Sequence, residues 1–321
     1  VNGSLSGIKT VVRMSACGCV ILAGILMAHA EPPLKLLREI PLPHGCRELF
    51  IQEASANLFV TGSNGVTIIN LASDQVVRTF TNVGAIHGLM PLPDSKMAVY
   101  LADDLPELSV VWTDTFRRIS KMKTGKNPLS VLATGPTTGF LLNGGDRNVT
   151  LFEPDDGDLM GTVELPGEPL FAAYNALAST VFFGIRNQPQ LVLMQISRLK
   201  QNETWDLPPD HVPVAVVCSP ERQVLFVLCR NKRLLLLHSS QGNVLGQVRI
   251  TSDGDRLAVD LNKRTVYVGG GKILSVLQFD EGFRLSENAV ELPFECQSVA
   301  VNPRTRKLYI GTANGVRVYQ E

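Results

Sequence analysis

After residue 30 the chain holds four histidines, His44, His87, His211 and His238, and four cysteines, Cys46, Cys218, Cys229 and Cys296. Imidazole nitrogen and thiolate sulfur are ligands of copper and zinc, so His44, Cys46, His87 and His211 make a candidate metal set. No pair among them has the local spacing of a zinc finger, and ordinary loop histidines are the competing reading. An even number of cysteines permits disulfides in an oxidising compartment. Cys218 and Cys229 end successive strands of one hairpin, which sets each against the far end of its partner strand, so they read as buried apolar fillers. Cys46 and Cys296 remain as a candidate disulfide.

Carboxylates offer a second chemistry. Asp103, Asp104, Glu107, Glu168 and Asp255 could supply an oxygen-rich calcium site or an acid–base pair. The stretch Asp103-Asp104-Leu105-Pro106-Glu107 reads as a solvated loop. Gly269-Gly270-Gly271 is a turn rather than a phosphate cradle, because no helix follows it. Arg147, Arg186, Arg230 and Arg233 flank turns and could meet an anionic ligand, although interspersed acids such as Asp146 favour a plain surface. The chain has no Gly-x-Ser-x-Gly element, no Cys-x-x-Cys-His and no Trp-rich repeat, which counts against an enzyme.

The elements that must position these residues are legible from the last unit, Gln297 to Tyr319. It holds three apolar runs separated by a polar turn and by Asn314-Gly315, which reads as three antiparallel strands. Comparable units begin near residues 48, 87, 128, 170, 213, 256 and 298, so successive separations are 39, 41, 42, 43, 43 and 42 residues. A period of roughly 40 to 45 residues is that of four-stranded propeller blades. No stretch has helical periodicity. The inner strands are continuously apolar, as blades stacked face to face require, and outer strands such as Phe116 to Met122 carry charge. The fold class is therefore all-β: a seven-bladed β-propeller with four antiparallel strands per blade. The last unit lacks its fourth strand, and the run from Leu34 to Ile40 supplies it, so blade 7 combines residues 34–40 with 297–319. Residues 31–321 form one domain.

A propeller presents its binding face where loops lead into the inner strands, at the mouth of the central channel. That rule selects Arg47, His87, Asn127, Glu168, His211, Asp255 and Gln297 as candidate ligand-binding residues, beside Cys46 and Cys296. The latter two hold equivalent positions in blades 1 and 7, where a disulfide would pin the closure of the ring.

Residues 1–30 read as a secretory signal peptide. Lys9 and Arg13 precede an apolar run from Met14 to Met27, and Ala28-His29-Ala30 fits the small-x-small cleavage pattern. Cleavage is expected after Ala30, with an uncleaved anchor as the alternative. Cys17 begins the run rather than ending it, unlike a lipoprotein acylation site. No other segment is apolar enough to span a bilayer. Lys plus Arg equals Asp plus Glu, 30 against 30, so no net field draws the chain to nucleic acid or anionic lipid.

The strings "VAVNPRTRKLYIGTANGVRVY", "LAVDLNKRTVYVGG" and "NLFVTGSNGVTIINLASDQVVRTF" resemble the bacterial YVTN-type propeller repeat. The resemblance is clear in units one, six and seven, recognisable in five and weak in two to four. It implies a seven-bladed fold and export to the periplasm or beyond, and no particular activity. The expected function is that of a monomeric, non-enzymatic scaffold binding a protein, peptide or cell-envelope component at the channel mouth. Two alternatives stay open: a metal-binding or redox accessory protein using the histidine and cysteine set, and a divalent-metal, lactonase-like hydrolase using Glu168, Asn127 and Asp255. The only cofactor implied is a metal ion.

Overall fold

In a computed structural model, residues 34–103 and 105–320 are described. The expected signal peptide and Asp104 lie outside the described residues. Seven sheets of four antiparallel strands follow one another along the chain, six of them simple meanders from inner to outer strand and the seventh taking its outer strand from the N-terminal end. In blade 1 the strands are Glu48–Gln52, Asn57–Thr61, Gly65–Asn70 and Gln75–Thr81. Inner strands of neighbouring blades touch in chain order, and that of blade 7 touches that of blade 1, which closes the ring.

The hydrophobic pattern explains the stacking. Second strands such as Met97–Ala102, Thr180–Ile185 and Val224–Cys229 are buried at every position. A strand covered on both faces has no use for alternation, so both sides stay apolar. The core is accordingly divided into seven clusters, each filling the space between two adjacent blades. Outer strands meet water; Gln75–Thr81 is exposed at nearly every position. Among the described residues the only helix is a single 3-10 turn, Ile196–Arg198, and no helix is long and apolar enough to cross a membrane.

Blade 7 is completed as expected by the N-terminal strand, Lys35–Pro41, which pairs antiparallel with Gly315–Gln320. Leu36 faces Tyr319 and Ile40 faces Val316 across that seam. A buried polar cluster locks blade 7 to blade 1. Lys307 Nζ lies 2.5 Å from Asp74 Oδ2, and the Tyr309 hydroxyl donates to Asp74 Oδ1 at 2.9 Å.

The inner strands fall into two kinds. In blades 1, 6 and 7 they pair with the second strand without interruption. In blades 2 to 5 each carries one extra residue near its start: between Ile86 and Leu89, Pro128 and Ser130, Pro169 and Phe171, and Pro213 and Ala215. In blades 3 to 5 the strand opens on a proline, which cannot donate to the ladder, and the bulge follows at once. These bulges stand on the channel mouth and re-aim the side chains there.

Candidate functional site at the channel mouth

Three of the residues selected from the sequence come together. Arg47, His87 and Asn127 line a groove of about 560 Å³ where blades 1, 2 and 3 meet. Its apolar walls are Leu105, Pro106, Pro128 and Leu129, and its polar side is completed by Asp103. His87 lies in the bulge of the blade 2 inner strand, Ile86–Pro91. Its Nδ1 is 2.7 Å from Asp103 Oδ1, and its Nε2 is 3.2 Å from the Pro128 carbonyl oxygen of blade 3. The other carboxylate oxygen of Asp103 accepts from Arg47 Nη1 at 3.0 Å, so one chain of contacts ties three blades together. Burial alone would raise the pKa of Asp103, but the Arg47 hydrogen bond and charge, with His87 beside them, outweigh it and hold the carboxyl below its usual range. Asn127 adopts a left-handed backbone, φ +48°, and its carbonyl accepts from the Gly144 amide at 2.9 Å, which fixes the far wall.

Asp103 is the hub, although its sequence context reads as a solvated loop. Glu48 and Thr61 are not among the candidates read from the sequence. They face each other across the first two strands of blade 1. Neither Glu48 Oε2 nor Thr61 Oγ1 has a hydrogen-bond partner among the described residues, and both atoms are enclosed. Burial raises the pKa of Glu48 against the opposing charges of Arg256, His87 and Arg47. The available signal is a lone acid immediately before the apolar run Leu49-Phe50-Ile51.

The remaining candidates stay apart. Glu168, in blade 4, pairs with Arg186 Nε at 2.7 Å. His211, in blade 5, turns back on its own loop, with Nδ1 2.9 Å from the Pro209 carbonyl. Asp255 lies 3.5 Å from Arg256 Nη1, whose Nε donates to the carbonyl of the exposed Gln297 at 3.2 Å. Asn127, Glu168 and Asp255 thus sit in different blades, each with its own partners. Glu107 pairs instead with Lys121 and Arg118, which lower its pKa against a small opposing effect of burial, Lys121 contributing most.

The candidate metal set is not assembled. His44 is buried; its Nδ1 donates to the Gly45 carbonyl and its Nε2 accepts from the Thr67 hydroxyl, both at 2.8 Å. Both nitrogens are occupied, and burial lowers its pKa despite the backbone hydrogen bonds. His87 has its ring nitrogens against the Asp103 carboxylate and the Pro128 carbonyl, not against another residue of the candidate set. Among the described residues no group of three His, Cys, Asp or Glu side chains is placed to hold a metal ion.

The candidate Cys46–Cys296 disulfide is not formed; both thiols are free and buried. Their positions in neighbouring blades are equivalent, and that equivalence separates them. Cys46 Sγ lies over Gly311 of blade 7, and Cys296 Sγ lies over Gly269 of blade 6. Each thiol fills the space left by a missing side chain in the preceding blade, with the blade 7 sheet between the two. Burial pushes the Cys296 thiol up to about 12 and Cys46 higher still.

The fold defines a seven-bladed β-propeller with a polar, three-blade groove at its mouth. No family model and no curated protein matches the chain. Among solved structures it is similar to Hydrazine Synthase of Kuenenia stuttgartiensis, with a TM-score of 0.75 at 13% identity, covering 88% of this chain and 98% of that one. A likeness at that identity is one of fold.

Proposed function

We propose that this chain is an exported, non-enzymatic propeller scaffold that binds a protein, peptide or cell-envelope component in the groove between blades 1, 2 and 3. The observation carrying this reading is the combination of apolar walls, Leu105, Pro106 and Leu129, with convergent polar groups on Arg47, His87 and Asp103 in one concavity. The apolar surface supplies area for a partner chain and the polar groups fix its orientation. The YVTN-like strings and the signal-like residues 1–30 support export.

Selection of a displayed peptide library on the purified protein tests the reading. Selected peptides should lose at least about tenfold in affinity on Leu129→Arg, which sets a bulky cation on the groove wall, and keep full affinity on Glu168→Ala at the blade 4 mouth. Peptides indifferent to Leu129→Arg would overturn it. Cell fractionation tests export, and retention in the cytoplasm with residues 1–30 intact would refute that part.

A further inference from the structure

The outer strands of blades 7 and 1 begin alike. Lys35–Pro41 opens with Lys35-Leu36-Leu37-Arg38, and Gln75–Thr81 opens with Gln75-Val76-Val77-Arg78. Each carries one extra residue against the third strand: Leu36 faces Tyr319 and Arg38 faces Val318, while Val76 faces Ile69 and Arg78 faces Ile68. Such an outer-strand bulge interrupts the alternation of sides, and all four aliphatic residues are 42 to 58% exposed. Both strands start on the face of the ring opposite the channel mouth, because a meander that enters its inner strand at the mouth reaches its outer strand from the other face. The two pairs are neighbours there. Arg38 Nη1 donates across the gap to the Ser73 carbonyl of blade 1 at 3.4 Å, and Arg78 Nη1 repeats the link to the Asp114 carbonyl of blade 2 at 2.5 Å.

Both arginines thus rest on backbone carbonyls and keep their charge. Neither they nor the exposed Lys35 have an ion-pair partner among the described residues. Of the acids beside them, Asp74 is neutralised by Lys307, and Asp114 is exposed at the far end of the patch. Blade 3 carries the same exposed aliphatic pair, Leu159-Met160, but Gly161 stands where the arginine does, and Asp155, Asp156 and Asp158 precede the pair. Equal totals of acid and base therefore conceal a rim that is cationic at blades 7 and 1 and acidic at blade 3.

We propose that the rim of blades 7 and 1 seats this propeller edge-on against an anionic lipid bilayer. The aliphatic side chains enter the boundary between headgroups and acyl chains while the cations meet the phosphates, the combination by which interfacial segments hold a membrane. A second copy of this chain is the poorer occupant, because a two-fold contact centred on this edge sets Lys35, Arg38 and Arg78 against cations of their own kind. The chain also leads to a bilayer. Leu36 follows Met27, the end of the apolar run, by nine residues, so a membrane that receives that run during export has this strand near its surface. The seat lies on the face away from the groove, which leaves the groove open to its partner.

Residues 34–320 contain every described strand of the ring and all seven core clusters, so a chain beginning at Glu31 keeps the propeller and lacks the apolar run. Its co-sedimentation with vesicles of equal phosphatidylglycerol and phosphatidylcholine, and with vesicles of phosphatidylcholine alone, tests the seat. At low salt it should partition at least about tenfold more strongly to the anionic vesicles, and added salt should erase the difference. Leu37→Gln/Val77→Gln should lower that partition by at least about tenfold, and Lys35→Gln by about fivefold, the effect of one cation at an anionic surface. Leu159→Gln/Met160→Gln, at the acidic rim of blade 3, should bind as the parent does. All five positions are exposed, and circular dichroism with a thermal melt establishes that each variant keeps the fold. No binding, equal binding to both kinds of vesicle, or equal losses from the two double variants would overturn the seat. Self-association of the parent in sedimentation velocity, abolished by Leu37→Gln/Val77→Gln and unaccompanied by vesicle binding, would overturn it in favour of a second copy.

Discussion

Replacing Lys307 by Met should destabilise the ring at its closure, and by more than removing any of the exposed surface charges. The ammonium of Lys307 and the carboxylate of Asp74 are only 15% and 10% accessible and lie 2.5 Å apart between blades 7 and 1. Removing one partner of a buried pair leaves an uncompensated charge, which costs about 3–5 kcal/mol. Tyr309 still donates to Asp74 Oδ1 at 2.9 Å, so the lower end applies, about 3 kcal/mol. Unfolding entropy of about 2.1 cal/mol/K per residue over roughly 290 residues gives about 0.6 kcal/mol/K, so Tm should fall by about 5 °C. Tyr309→Phe leaves the ion pair intact and removes one hydrogen bond to a charged group, about 1.5 kcal/mol, or about 2–3 °C.

The sign of a third variant separates this account from mere loss of packing. Asp74 has a left-handed backbone, φ +53°, which Asn tolerates, so Asp74→Asn removes the charge without backbone strain. Added to Lys307→Met, it should restore part of the lost stability, because no orphaned carboxylate remains. Scanning calorimetry on the four proteins reads all of this. A double variant less stable than Lys307→Met alone, or a Lys307→Met melting within about 1 °C of the parent, would refute the reasoning.

Three other outcomes are expected. Burial raises the folded pKa of Glu48 above 4.5, so its contribution to stability is whole below that pH and is lost as pH rises through the folded pKa. Glu48→Gln should therefore gain stability relative to the parent as pH rises from about 4.5 toward neutrality in urea titrations, and a pH-independent difference would contradict it. Cys46 and Cys296 should resist iodoacetamide at pH 8 until denaturant is added, because burial keeps both as thiols; alkylation of either in the native protein, read by peptide mass spectrometry, would count against their placement. Deleting Lys35–Pro41 uncovers the edge of Gly315–Gln320, including the buried Val316 and Val318, and should yield oligomers or insoluble protein. A soluble monomer with unchanged Tm would count against the seam.

The ring itself was legible because a repeat of nearly constant length constrains every unit at once. The seven inner strands begin at residues 48, 86, 128, 169, 213, 256 and 298, each within one residue of its expected place. The contacts between units were not legible in the same way. The loop from Asp103 to Glu107 looks solvated when read along the chain, and only ring closure shows that Asp103 faces Arg47, 56 positions away. The candidate disulfide is absent for a related reason. Equivalent residues of adjacent blades face the same way around the ring, so a whole sheet separates them, whereas a disulfide needs Cα atoms within roughly 7 Å.

The same comparison gives the mouth its asymmetry. Blades 1, 6 and 7, which keep the repeat most clearly, have unbroken inner ladders and hold the closure between Lys307, Asp74 and the N-terminal strand. Blades 2 to 5 carry the bulges. A bulge costs ladder hydrogen bonds and gains control over where one side chain points. At the corresponding place Leu129, Leu170 and Val214 are apolar, and only in blade 2 is the residue, His87, able to hydrogen-bond. The groove forms where that bulge meets the last regular blade, because a straight strand in blade 1 holds Arg47 and Glu48 in place while the bulge carries His87 toward them. Removing Gly88 to restore an unbroken ladder should therefore close the groove and disperse the contacts among Arg47, Asp103 and His87 while leaving the remaining blades folded. Amide hydrogen exchange confined to blades 1, 2 and 3 would report that outcome, and changes spread evenly around the ring would refute it.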